Sequence, residues 1–208
     1  MRCSPMPLVS LATLMVLVLG ACGSSGDGLD LFSGGTVTVY ASANRTLFQD
    51  GTADPGTDGL RMGDTAANVP MRIGLRFTLV SPLVLVPTAD EVESVTLQLR
   101  QTSVTGAPYV AFGAAVVDRV DFGVSLGAGD FAPTTLTGSV AMITSDGSPG
   151  ILQADVTAAV VAALRAGSLT SDLLVRFPTS LADGAAQFAE FERAAADGKG
   201  PVLLIKRR

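Results

Sequence analysis

Glu190 and Glu192 stand two residues apart in the run AQFAEFER. On a strand both carboxylates leave the same face, about 6.6 Å apart at roughly 3.3 Å per residue. That lies between the spacings of retaining and inverting glycosidases. Catalytic carboxylates, however, flank a substrate from different elements, and nothing near these two points to a raised pKa, so no enzyme is expected on them. The 208 residues contain no His, which removes the Ser-His-Asp and Cys-His arrangements, the usual general base and the commonest zinc ligand together.

Arg72 and Arg76 lie four apart on one strand face, roughly 13 Å from each other, and could take carboxylate groups of a glycan. The plainer expectation is a solvated sheet face, or pairing with Glu192. The loop DGTADPGTDG places Asp50, Asp54 and Asp58 at intervals of four, which is not the alternate-position oxygen pattern of a calcium loop. Asp among Gly and Pro is turn chemistry. Asp118, Asp121 and Asp130 form a second, weak acidic group, and no metal or cofactor is expected at either. Gly127-Ala128-Gly129 imitates the start of a dinucleotide fingerprint, but Pro133 and a strand-like run follow where a helix would have to begin.

The elements that position these residues read as strands. In 70–80 the set Met71, Ile73, Leu75, Phe77 and Leu79 alternates with Arg72, Gly74, Arg76 and Thr78; in 91–101 Val95, Leu97 and Leu99 alternate with Ser94, Thr96, Gln98 and Arg100. Weaker runs cover 36–42, 109–118, 134–143, 151–156, 171–177, 185–193 and 201–206. Eight or more short strands predict an all-β fold, a two-sheet antiparallel β-sandwich. Phe77 is expected between the sheets and Arg76 outside them. One late helix interrupts the pattern at 157–166, TAAVVAALRA, with Asp155 or Thr157 as N-cap and Gly167 as its left-handed end.

Residues 1–21 carry Arg2, then an apolar run from Leu8 to Leu19, then Gly20 and Ala21, which is the layout of a secretory leader. A 12-residue run spans about 18 Å as a helix, short of a bilayer core of roughly 30 Å. Leu19-Gly20-Ala21-Cys22 resembles the bacterial lipobox, which implies cleavage before Cys22, its acylation, and the lipid bilayer as a partner. Residues 22–35 are a Gly/Ser-rich tether reaching about 20 Å, and 36–208 the sandwich. Gly23, where the family places Asp to retain proteins in the inner membrane, implies the outer membrane or cell surface. Cys3 leaves with the leader and Cys22 is capped, so stability must come from packing without a disulfide. Losing Arg2 takes the formal charge from −5 to −6. With a pI near 4.6 and only two Lys, no nucleic-acid partner is expected.

The stretches RIGLRFTL, VESVTLQLR, LQADVTAAVVAALRAG, SDLLVRF and AQFAEFERAAADGKGPVLLI, with GTDGLRMGD as an early turn, resemble in order the DNRLRE-type extracellular module. That resemblance spans about residues 36–206 and implies a jelly-roll sandwich that binds carbohydrate without catalysing anything. Family members carry Trp where this chain has none and reads VDRVDFGVSLGAGDF instead. Two functions follow as expectations: a carbohydrate-binding lipoprotein, or a structural or protein-interaction lipoprotein of the envelope. An apolar groove lined by Tyr109 and exposed Phe would favour the first; a flat face or an open strand edge would favour the second.

Overall fold

The computed structural model describes residues 35–208 except 55, 57, 58, 81–85, 182 and 194–199; the leader, Cys22, the tether up to 34, and Asp58 lie outside the described residues. Alternating side chains build strands β1 (Thr36–Phe48), β2 (Leu60–Asp64), β3 (Pro70–Thr78), β4 (Val92–Thr105), β5 (Ala115–Asp121), β6 (Thr134–Ile143), β7 (Gly150–Asp155), β8 (Thr170–Arg176), β9 (Gln187–Phe191) and β10 (Val202–Arg207). Two helices accompany them, α1 (Pro108–Ala111) and α2 (Thr157–Arg165). Every pairing is antiparallel, and the fold is all-β, as expected.

Hydrogen bonding runs continuously through the order β1-β10-β4-β9-β2-β3-β8-β5-β6, with β7 on the other side of β4. The continuity comes from two long strands that change partners at bulges. The first half of β1 pairs with β10; after the irregularity at Ala41 and Ala43 its second half pairs with β3. Strand β4 passes from β10 to β9 around an irregularity at Gln101 and Ser103. An extra residue bends a strand, which lets it turn the corner of a sandwich.

Three local expectations are corrected. The GTDGLRMGD turn contains a strand, β2, whose Leu60 and Met62 are fully buried. The run 109–118 is divided: Pro108, with its fixed φ, opens the single turn of α1, and β5 begins only after Gly113 at φ 79°. Strand β1 continues to Phe48, well past residue 42.

Helix α2 ends at Gly167 as expected, but its start is corrected: neither Asp155 nor Thr157 is the N-cap. Val156 is its N-cap, while the Asp155 carboxylate accepts the Thr157 N–H at 2.9 Å. The Thr157 hydroxyl accepts the Val95 N–H at 2.8 Å, tying the helix to β4. Gly167, at φ 65°, lets the Gly167 and Ser168 N–H groups turn back onto the carbonyls of Leu164 and Ala163, a Schellman closure. Ala159, Val160 and Ala163 face the core, where Phe77 and Phe191 are the largest fully buried side chains.

Candidate functional site

Strand β3 is buried on both faces, which alternation alone does not predict. Its inward set, Met71, Ile73, Leu75 and Phe77, enters the main core as expected. Its outer set, Arg72, Gly74 and Arg76, faces a second apolar cluster of Leu47, Val120, Phe122 and Leu174, with Leu126 and Phe131 packed against it. The loop 122–131 folds over this face, contributing Phe122, Leu126 and Phe131 from the stretch that lacks Trp.

The expected exposed position of Arg76 is therefore corrected. Its side chain leaves the face opposite Phe77, but the residue is only 9% exposed. Its Nε and Nη2 donate to the two carboxylate oxygens of Asp172 at 2.8 and 2.6 Å. Nη1 and Nη2 also donate to the carbonyls of Val124 and Gly123 at 2.9 and 2.8 Å. Asp172 accepts the Phe122 N–H as well. The partner is thus Asp172 and not Glu192. The hydrogen bond and charge of Asp172 raise the Arg76 pKa against the opposing effect of burial.

Arg72 is likewise spent on the loop: Nη1 donates to the Phe131 carbonyl at 2.8 Å, and the guanidinium lies 4.1 Å from the centre of the Phe131 ring. Burial and the nearby charge of Arg176 lower its pKa, with Asp118 opposing. The two arginines hold a loop onto a sheet. They do not form an open pair for glycan carboxylates.

The acidic candidates are also tied into the fold. Asp54 accepts the Thr46 and Gly56 N–H groups and pairs with Arg193 at 2.6 Å. Burial pushes its pKa up, but Arg193 and the two backbone donors outweigh burial and hold it below the ordinary value. Asp50 closes a turn on the Thr52 N–H. Asp118 pairs with Arg176 at 2.6 Å and accepts the N–H of Ser139, which stands at φ 50°. Asp121 and Asp130 accept the Gly123 and Gly127 N–H groups, so the Gly127 turn serves the loop. No group of three metal-ligating side chains is found among the described residues.

Glu190 and Glu192 each have their own cation: Glu190 meets Arg61 at 2.8 Å and Glu192 meets Arg100 at 3.3 Å. Tyr109 packs edge-on against Phe177 with 5.3 Å between ring centres, and its hydroxyl donates to Gln101 at 2.6 Å. Burial raises its pKa. Tyr109 is therefore a core strut and no platform for a sugar ring. Among the described residues Tyr40 is the exposed aromatic side chain of note, at 53%.

Matched against protein-family models and curated proteins, the chain shows no similarity to any of them.

Two hollows remain. The larger, about 640 Å³, lies between α2, β6 and the start of β4, with Val140, Met142 and Val161 among its apolar walls and Glu93, Asp155, Arg165 and Arg208 among its polar ones. These polar groups already have partners: Glu93 binds Lys206, Asp155 caps Thr157, Arg165 lies 3.7 Å from Asp90, and Arg208 donates to the Val92 carbonyl. The smaller, about 220 Å³, lies at the C-terminal end of α2 against β5, β6 and β8. Beside these hollows runs β6, a ten-residue sheet edge without a charged residue.

Sequence reasoning missed Asp172, Gln101 and Ser171. In SDLLVRF the alternation of Asp172, Leu174 and Arg176 reads as a wet face. The available signal was Gly74 between two arginines: a Cβ there would come within 2.8 Å of Leu126 and 3.1 Å of Leu47, a close approach that an open sheet face would not require.

Proposed function

We propose that this chain is an exported lipoprotein, anchored through acylated Cys22, that displays its sandwich as a non-catalytic binding module at the outer membrane or cell surface. The observation that carries the non-catalytic part is the fate of the carboxylates. Glu190, Glu192, Asp54, Asp118 and Asp172 are each neutralised by an arginine. A general acid or nucleophile needs a carboxylate free to face a substrate, and these are fixed as framework. Anchoring rests on the Leu19-Gly20-Ala21-Cys22 run, since two acyl chains hold a protein to a bilayer where one is marginal.

Carbohydrate is the ligand that the resemblance to the DNRLRE-type module favours, bound by polar side chains in a hollow and not on an aromatic platform. The second reading, an envelope protein that binds other proteins, is favoured by the uncharged edge of β6, because strand addition uses open backbone groups. Labelled palmitate should enter the wild-type protein and not Cys22→Ser; label in the variant would end the anchoring proposal. A glycan array probed with the full chain separates the two ligand classes: retention of a glycan supports the first, and a blank array with β-strand peptides captured at β6 supports the second.

A further inference from the structure

Among the described residues, the hollow at the end of α2 holds two polar side chains, Arg119 and Ser171, that make no hydrogen bond or ion pair within the fold. The inward series of β5 runs Ala115, Val117, Arg119, Asp121, with Ala115 and Val117 fully buried. The series turns from apolar to charged where the sheet leaves the core and enters this hollow. Register pairs Arg119 with Leu173 and Val120 with Asp172, so Ser171, two residues before Leu173, shares the face of Arg119 and Asp121. All three line the hollow, with Leu136 and Ala163 as apolar walls.

Ser171 is 2% exposed, and its hydroxyl has no hydrogen-bond partner. Buried hydroxyls are nearly always satisfied, so an orphan beside a hollow marks a place where something else supplies the partner. Arg119 has no hydrogen bond or ion pair among the described residues, whereas the polar groups of the larger cleft are all engaged.

We propose that this hollow is a binding site for a single neutral saccharide or polyol unit. The charges of Arg119 and Asp121 cancel, so the site selects no ion. It offers donors from Arg119 and Ser171 and an acceptor from Asp121, the complement of adjacent hydroxyl groups that both give and take hydrogen bonds. Leu136 and Ala163 supply the apolar surface that a ring's C–H face requires. A volume of about 220 Å³ is below the roughly 300–1,000 Å³ of drug-sized pockets, which suits one ring at a chain end or a branch and not an extended chain. The proposal rests on the carbohydrate reading above and gives it a site.

Isothermal titration of the full chain in detergent with glucose, galactose, mannose and N-acetylglucosamine tests it, beside the Arg119→Gln and Ser171→Ala variants and with Arg165→Ala in the larger cleft as control. The expected result is saturable binding of at least one sugar, weakened tenfold or more by Arg119→Gln and by Ser171→Ala and unchanged by Arg165→Ala. Ser171→Ala without sugar should melt no lower than wild type, because it removes an unpaired hydroxyl. Sugar binding that both variants leave unchanged would overturn this site and keep the carbohydrate reading. If none of the four sugars binds, this site is overturned; if the glycan array is blank too, the carbohydrate reading falls with it.

Discussion

Truncating Arg76 to Ala is the sharpest test of how the outer face is built. The change removes both hydrogen bonds to Asp172 and both loop-carbonyl contacts. It leaves the Asp172 carboxylate, whose side chain is 5% exposed, with the Phe122 N–H at 3.2 Å as its remaining donor. Breaking one partner out of a buried ion pair costs about 3–5 kcal/mol, because the other charge stays desolvated. An exposed pair, which the alternation of β3 predicts, would cost under about 1 kcal/mol. At a urea slope of about 1–3 kcal/mol/M the buried case lowers the unfolding midpoint by roughly 1–5 M with the slope unchanged. Phe77→Ala on the opposite face should cost a similar amount, about 3–5 kcal/mol, through lost transfer energy and a cavity.

Two further measurements separate a clamp from a general loss of packing. The Arg76→Met, Asp172→Leu double variant should recover much of the loss, since replacing a buried pair by apolar groups of similar size is often neutral. Proteolytic cleavage in 122–131 should speed up in Arg76→Ala before global unfolding does. A loss under 1 kcal/mol, or one abolished by 1 M salt, would mean that Arg76 and Asp172 meet in water and that the loop is not held by them.

Gly74→Ala should cost about 1–3 kcal/mol by urea unfolding, because its Cβ would press on Leu126, Leu47 and Phe122 and lift the loop. Asp64 is buried and accepts the Leu181 N–H at 2.7 Å; burial raises its pKa, the Leu181 bond opposes and the charge of Asp183 adds. A carboxyl raised on folding stabilises below its unfolded pKa and loses that contribution as pH rises through the folded value. Asp64→Asn should therefore gain stability relative to wild type between about pH 3 and pH 7, as read from thermal melts. Asp54 has the opposite sign: its lowered pKa contributes stability above the unfolded value and loses it as pH falls through the folded one. Asp54→Asn should cost about 1.5–3 kcal/mol at pH 7 and little at pH 2.

The sequence by itself determined the all-β class, the strands at 70–78 and 92–101, the inward position of Phe77 and the end of α2 at Gly167. Each follows from a periodicity or a backbone preference that acts within a few residues. Tertiary structure decided what covers the second face of β3. Alternation says which side chains share a face; it cannot say whether water or another segment meets that face. Here loop 122–131, some fifty residues further on, arrives over Arg72 and Arg76 and turns a wet face into a second core. Tyr109 has the same history, because its neighbour Phe177 lies sixty-eight residues away in sequence and only the fold brings the rings together. Ser171 is the extreme case: a serine at the start of a strand is unremarkable in sequence, and its unpaired hydroxyl exists only because β5, β8 and α2 close around it.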